Sequence, residues 1–210
     1  MSPLYLYAVI DEEPAEPLGA GLRLIRCGGL LVVAGETELQ MTPENLAAQD
    51  AIVRGLSVTA VLPIRFGEKA RDEEELCKLL KPRSSDLLAA LDRVRGCEQM
   101  TLRVFGEPAP QPEPPEQDAR PGTRYLEARR REIERSRSLP EIEALLDRLR
   151  PLVKAERIER KEQGTLLGTV YHLVRREDVQ AYKERAREDG VAVSGPWPPY
   201  AFAPGLGDPT

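Results

Sequence analysis

The chain has 210 residues, of which 41% are apolar, 31% charged and 5% aromatic, and its net charge is −5. Residues 1–107 carry 12 basic and 17 acidic residues and residues 108–210 carry 18 of each, so neither half has the basic excess that nucleic-acid binding usually requires. No stretch approaches the ~18 apolar residues of a membrane span and the N-terminus lacks a signal-peptide pattern, so we expect a cytoplasmic, soluble protein without a membrane or nucleic-acid partner.

Strands and one helix are predicted in the first quarter of the chain. The apolar run Leu4–Ile10 predicts a strand that is buried on both faces. The segments "LRLI" and "LLVVA" flank Cys27 and two glycines, a pattern typical of a hairpin or a sharp strand connection. Thr42 followed by Pro43 predicts a helix start, and Gly55 can end that helix.

The next fifty residues complete a mixed α and β pattern. The segment "SVTAVLPIRF" predicts a strand or strand pair broken at Pro63. Two helices are predicted at residues 72–81 and 84–95, and the alternation in "EQMTLRVF" predicts a closing strand. The order β, β, α, β, α, α, β is typical of an elaborated, or modified, ferredoxin-like α+β fold.

A proline-rich segment separates the two halves. Six of the sixteen residues in "EPAPQPEPPEQDARPG" are proline and none is large and apolar, so the segment predicts a semi-rigid, extended spacer. We therefore predict an N-terminal domain at residues 1–107, a spacer at 108–122 and a smaller C-terminal α+β domain at 123–210.

The second half predicts the order α, α, β, β, α, β, followed by a tail rich in proline. The predicted elements are helices at 123–139, 142–152 and 176–189, a hairpin of strands 153–159 and 166–174, and a strand at 191–195. The hairpin is expected to turn at Gln163-Gly164.

The residues that usually build an active site or a metal site are sparse. His172 is the single histidine and lies in a predicted strand, so we interpret it as structural. Cys27, Cys77 and Cys97 are odd in number and contain no C-x-x-C pair, which argues against a disulfide framework or a zinc site. We expect no catalytic, cofactor-binding or metal-binding residues.

Two charged runs allow a second interpretation. The acidic run 72–75 could bind a cation, but acids are common in the first turn of a helix. The basic run 129–131 could bind phosphate, but its acidic neighbours favour ion pairs on a solvated helix face. In both places we favour the structural interpretation.

Several segments together resemble the gas vesicle accessory proteins of the F and L type. The most specific is "GPWPPYAF" near the C-terminus, and "VLPIRFG" is similar to a motif in the middle of the first domain. "YLYAVI", "RGCEQMTLRV" and "GTRYLEARR" also fit. One departure is Gln49, where the family commonly carries a histidine. On this resemblance the candidate structural or partner-binding residues are Gly195, Pro196, Trp197, Pro198, Pro199, Tyr200, Leu62, Pro63, Phe66 and Gly67.

The resemblance implies a non-catalytic accessory or minor structural protein of gas vesicles. Such a protein is expected to assist assembly by binding the hydrophobic shell subunit and other accessory proteins, and we expect the first half to carry the shell-subunit site. The alternative is a small-molecule-binding sensor or an enzyme on a ferredoxin-like scaffold.

The tail leaves two interpretations open. Trp197, the single tryptophan, and Tyr200 could dock on the chain's own second domain, or the segment "PWPP" could be a ligand presented to a partner. A buried Trp197 would cost about 3–5 kcal/mol when truncated to alanine.

Overall fold

The computed structural model describes residues 3–36, 40–56, 58–107 and 138–206. The chain divides into two compact units. The first unit contains Met1–Gln99 and Pro196–Thr210, and the second contains Met100–Gly195. Each is a mixed α and β structure with a sheet of its own.

The first unit is built on a five-stranded sheet. Its strands are β1 (Leu4–Ile10), β2 (Leu22–Cys27), β3 (Leu30–Gly35), β4 (Leu62–Pro63) and β5 (Lys69–Ala70). The order is β2-β3-β1-β4, with β5 also paired to β1, and the pairs involving β1 are antiparallel. All seven residues of β1 are buried, as its apolar run predicted. The predicted hairpin is β2–β3, and Gly28 supplies the positive φ of 67° that its turn requires.

Three helices belong to the first unit, and their starts follow the sequence signals. They are α1 (Pro43–Gly55), α2 (Glu73–Leu80) and α3 (Ser84–Val94). The Thr42 side chain accepts the Asn45 N–H at 3.3 Å, and the Asp72 carboxylate accepts the Glu75 N–H at 2.8 Å. These caps satisfy N–H groups that a helix start leaves without partners inside the helix. The acidic run therefore forms the first turn of α2.

The predicted strand over residues 57–66 is mostly irregular in the structure. Among the described residues 58–66, only Leu62 and Pro63 form a strand, and they pair with Val9 and Ala8. Proline cannot donate to a strand ladder, and β4 lies at the end of the sheet order, where proline is tolerated. The next residue resumes the pairing, because the Ile64 N–H donates to the Tyr7 carbonyl at 2.9 Å.

The second unit is organised around a four-stranded sheet with the order β7-β8-β6-β9. Its elements are β6 (Cys97–Phe105), α4 (Glu143–Leu149), β7 (Val153–Gln163), β8 (Leu166–Arg175), α5 (Val179–Arg185) and β9 (Val191–Trp197). Short 3₁₀ turns precede and follow α4, and another precedes α5, so both helices are shorter than predicted. The β7–β8 hairpin turns at Gly164, as expected. The predicted helix at 123–139 lies almost entirely outside the described residues.

The unit boundaries differ from the predicted domain boundaries. We expected the strand "EQMTLRVF" to close the first domain, but β6 pairs in the second sheet, and the division falls between Gln99 and Met100. The C-terminal tail, expected in the second domain, belongs to the first unit from Pro196 onward. With β6 in the other sheet, the ferredoxin-like description of the first half remains a prediction. The proline-rich spacer lies outside the described residues.

A disulfide joins Cys27 to Cys77, so the expectation from cysteine number and spacing was wrong. The β2–β3 turn and α2 bring two cysteines 50 positions apart to a Cα–Cα separation of 5.0 Å. That distance is within the ordinary range for a disulfide, and spacing along the chain carries no information about it. The third cysteine, Cys97, is buried and is not part of this disulfide.

Candidate functional site

The segment 62–67, which carries the first family motif, is held in place by a buried polar network. Gln49 on α1 is 3% exposed and donates from Nε2 to the Ile64 carbonyl at 2.8 Å. The Tyr5 hydroxyl donates to Gln49 Oε1 at 2.9 Å and accepts the Gly67 N–H at 2.8 Å. These three bonds connect the helix, the central strand and both ends of the motif turn. Buried polar groups of this kind are stable only when each one is paired.

Phe66 and Gly67 complete the turn. The Phe66 ring meets the Tyr5 ring edge-on, with 5.8 Å between centroids. Gly67 has φ of 90°, a conformation that residues with a Cβ rarely adopt. Burial raises the pKa of Tyr5, although the bond from the Gly67 N–H opposes that shift. Tyr5 therefore stays protonated and available as a donor to Gln49.

The second family motif continues into a C-terminal strap, residues 196–206, which packs on the first unit. Within it Pro198 and Pro199 are buried, whereas Trp197 is 36% and Tyr200 37% exposed. The prolines thus provide the packed side of the strap, and the two rings remain partly accessible. Gly195, with φ of 118°, precedes the strap.

An ion pair on α1 holds the aromatic part of the strap. Arg54 Nε donates to Asp50 Oδ2 at 2.5 Å, and its Nη1 donates to the Pro196 carbonyl at 3.0 Å. The Arg54 guanidinium lies 4.6 Å from the centre of the Trp197 ring, a cation–π distance. The Tyr200 hydroxyl donates to Asp50 Oδ1 at 3.2 Å, and burial, followed by the Asp50 charge, raises the pKa of Tyr200.

Further bonds hold the strap beyond Tyr200. The Ala201 N–H donates to Gln99 Oε1 at 2.7 Å, and Arg83 donates to the Gly205 carbonyl. The 3₁₀ turn Tyr200–Phe202 also contacts β4. The structure therefore brings the two family motifs, 130 residues apart in the sequence, to one place beside α1. We call the partly exposed face formed by Asp50, Arg54, Trp197 and Tyr200 the strap surface.

The predicted site residues differ in burial. Leu62, Pro63, Pro198 and Pro199 are buried and position the motifs, whereas Phe66, Gly195 and Pro196 are half-buried and Gly67, Trp197 and Tyr200 are exposed. The list of candidate residues omitted Asp50, Arg54, Gln99 and Arg83, which hold the strap, although Gln99 lies in the family-like segment "RGCEQMTLRV". The Asp50 and Arg54 spacing of four residues could have suggested an ion pair, but no local signal connects that pair to the tail.

The second unit contains a separate polar cluster around His172. The Tyr182 hydroxyl lies 2.7 Å from His172 Nδ1, and Glu156 Oε2 lies 2.8 Å from Nε2. His172 and Tyr182 are fully buried, while the Glu156 side chain is 42% exposed. Burial lowers the pKa of His172 despite the opposing effect of Glu156. A neutral ring that donates from Nε2 and accepts at Nδ1 satisfies both partners, which agrees with a structural histidine.

The chemistry of the strap surface suits recognition, because it offers two aromatic rings beside one ion pair. Among the described residues, no group of three or more histidine, cysteine or acidic side chains is arranged to hold a metal ion. None of the helices in the described part of the chain has the length and apolar character needed to span a bilayer.

The family model of gas vesicle synthesis protein GvpL/GvpF matches residues 3–204. The chain belongs to this family. The resemblance drawn from the motifs is therefore confirmed, and a gas vesicle-related role follows from family membership. The family is one of gas vesicle proteins and is not a known enzyme family.

Individual relatives agree with this assignment. Gas vesicle protein L of Streptomyces sp. (strain CB03234) is 32% identical, and the alignment covers 95% of this chain and 92% of that protein. The crystal structure of GvpF from Anabaena sp. PCC7120 matches with a TM-score of 0.69 at 15% identity, over 97% of both chains. GvpF from Microcystis aeruginosa matches with a TM-score of 0.69 at 14% identity, over 97% of this chain and all of the other. At these identities the two structures establish a shared fold.

Proposed function

We propose that this chain is a non-catalytic accessory protein of gas vesicles that assists their assembly. In this proposal it binds the hydrophobic shell subunit and other accessory proteins, and it acts in the cytoplasm in association with gas vesicles. Membership of the GvpL/GvpF family supports the setting. The binding role is supported by one structural observation: both family motifs are held beside α1, and the second of them presents the strap surface there.

The strap surface has the composition of a binding site. Tryptophan, tyrosine and arginine are enriched among the residues that dominate protein–protein binding, and here one of each lies within one small area. Trp197 and Tyr200 are each held in one position by a partner on α1, so little side-chain entropy would be lost on binding. The surface belongs to the first unit, but only Asp50 and Arg54 come from the half of the chain expected to carry the shell-subunit site, whereas Trp197 and Tyr200 come from the other half.

The tail combines parts of both interpretations that the sequence left open. Its prolines are packed as an intramolecular strap would be, while its rings are accessible as a presented ligand would be. The strap lies on the first unit, not on the second as the packing interpretation assumed. We therefore propose that the strap is ordered by its own chain and presents its aromatic rings to a partner.

A pull-down of the full-length chain from cells that express the complete gas vesicle gene set tests this function. The wild-type chain should capture the shell subunit or another gas vesicle protein. A variant with both Trp197→Ala and Tyr200→Ala should lose most of that capture while its circular dichroism spectrum stays unchanged.

Leu88→Ala is the matched control. Leu88 lies on α3 of the same unit and is also 36% exposed, so its truncation removes a comparable exposed apolar group away from the family motifs. This variant should capture partners as the wild type does. Equal capture by the double variant and the wild type would contradict the proposed surface, and no capture by the wild type would contradict the proposed function.

A further inference from the structure

The Cys27–Cys77 disulfide lies at one edge of the first sheet. Cys27 is the last residue of β2, which is the terminal strand in the order β2-β3-β1-β4. Cys77 is in the middle of α2, and α2 contacts β2. Cys27 is only 8% exposed, whereas Cys77 is partly exposed. A thiol in solution would therefore reach the sulfur of Cys77 first.

The non-covalent contacts of α2 include an exposed ion pair to β2 and two buried leucines. Arg23 on β2 pairs with Glu73 on α2 at 3.3 Å, but both side chains are about half exposed, and such pairs contribute little. Leu76 and Leu80 are the buried residues of α2. The disulfide cross-links α2 to β2, and the two leucines pack in the core beside it.

We propose that Cys27 and Cys77 form a reversible thiol–disulfide switch that controls how firmly α2 is held on β2. The inference goes beyond the proposed function and rests on its cytoplasmic location. In the cytosol thiol systems keep most cysteines reduced, and disulfides that do form there are usually transient, catalytic or redox-sensing. A disulfide with one partly exposed cysteine, at the edge of a sheet, has the properties of such a pair.

The switch operates by exchange with a small dithiol or its disulfide. A thiolate of the dithiol attacks Cys77 Sγ, the Cys27–Cys77 bond breaks, and Cys27 leaves as a thiolate that takes up a proton. The second thiol of the reagent then displaces Cys77, which also becomes a thiol. Two electrons pass to the protein, and the reagent becomes a cyclic disulfide. The reverse sequence closes the bond.

The test uses the full-length chain equilibrated with reduced or oxidised dithiothreitol, followed by alkylation and mass spectrometry. Cys27 and Cys77 should become alkylated together in the reduced buffer and be protected together in the oxidised one. Amide hydrogen exchange in α2 should be about tenfold or more faster in the reduced state, while exchange in β1 stays the same.

Two variants complete the test. Cys97→Ser removes the buried third cysteine and should keep both the paired alkylation and the change in α2. A variant with both Cys27→Ser and Cys77→Ser should show the faster exchange in either buffer. The switch is contradicted if Cys27 and Cys77 alkylate independently in the oxidised buffer, or if α2 exchanges equally in both states. Neither outcome bears on capture of gas vesicle proteins.

Discussion

The buried Gln49 network gives the sharpest test of how the first family motif is held. Gln49→Leu keeps a side chain of similar size but removes the donor to the Ile64 carbonyl and the acceptor for the Tyr5 hydroxyl. Leaving a buried polar group without a partner costs about 1–3 kcal/mol, and two groups are affected. Better burial of leucine offsets part of that cost. We expect the free energy of unfolding to fall by about 3 kcal/mol.

A double-mutant cycle separates the network from simple packing. Tyr5→Phe removes one hydroxyl and leaves the Gly67 N–H and Gln49 Oε1 without that partner, so it should cost about 2 kcal/mol. The double variant should cost less than the sum of the single variants, with a coupling of about 1 kcal/mol or more, because each substitution removes the same bond. Gln49→His should cost less than Gln49→Leu, because a neutral imidazole has one donor and one acceptor.

Urea unfolding followed by tryptophan fluorescence measures these effects. Trp197 is the single tryptophan and belongs to the first unit, so its emission reports the unit that contains Gln49. Gln40→Leu, the same substitution at an exposed position of the first unit, should change stability by about 0.5 kcal/mol or less. Two results would refute the network as the support of the motif. One is a fall in unfolding free energy of less than about 0.5 kcal/mol for Gln49→Leu. The other is a Tyr5→Phe, Gln49→Leu double variant whose cost equals the sum of the single costs within about 0.3 kcal/mol.

Three further outcomes are expected. Trp197→Ala removes the single tryptophan, so its urea unfolding is followed by circular dichroism. The free energy of unfolding should fall by about 2–3 kcal/mol, below the cost expected for a fully buried ring, and a loss of about 4 kcal/mol or more would contradict the partial exposure of Trp197. Because burial lowers the pKa of His172, its contribution to stability should be complete above pH 6.5 and decrease as pH falls below that value. His172 lies in the second unit, so circular dichroism again supplies the urea midpoint; His172→Gln should flatten the fall of that midpoint below pH 6.5, and an unchanged slope would contradict the lowered pKa. Reduction of Cys27–Cys77 should lower the free energy of unfolding by up to about 4 kcal/mol, as expected for a loop of 50 residues, and an unchanged urea midpoint would contradict that constraint.

Local signals predicted much of the secondary structure. The apolar run of β1, the cap at Thr42 and the acids after Asp72 each act within a few residues, and the structure places an element at each of them. The sequence predicts that Pro63 interrupts a strand. It does not predict that the strand is only two residues long, because that length depends on pairing with β1. The class, a mixed α and β chain, was also clear from the order of elements.

Long-range pairing could not be predicted from the sequence. The strand β6 has the alternation of any half-buried strand, and nothing in its residues selects the second sheet over the first. The partner of Cys27 is decided by how α2 packs, and the destination of the strap by Asp50 and Arg54, which lie 140 residues away. The sheet that β6 joins, the partner of Cys27 and the position of the strap each depend on contacts between segments that are distant in the sequence. No pattern in one of these segments indicates the other.

Photo-crosslinking from the strap surface tests the central claim most directly. Benzoyl-phenylalanine is introduced at Tyr200 of the full-length chain, in cells that express the complete gas vesicle gene set, and at Leu88 as the control position of similar exposure. We predict crosslinks from position 200 to the shell subunit or another gas vesicle protein, and few or none from position 88. Crosslinks from position 88 with none from position 200 would contradict the assignment of the strap surface as the binding site.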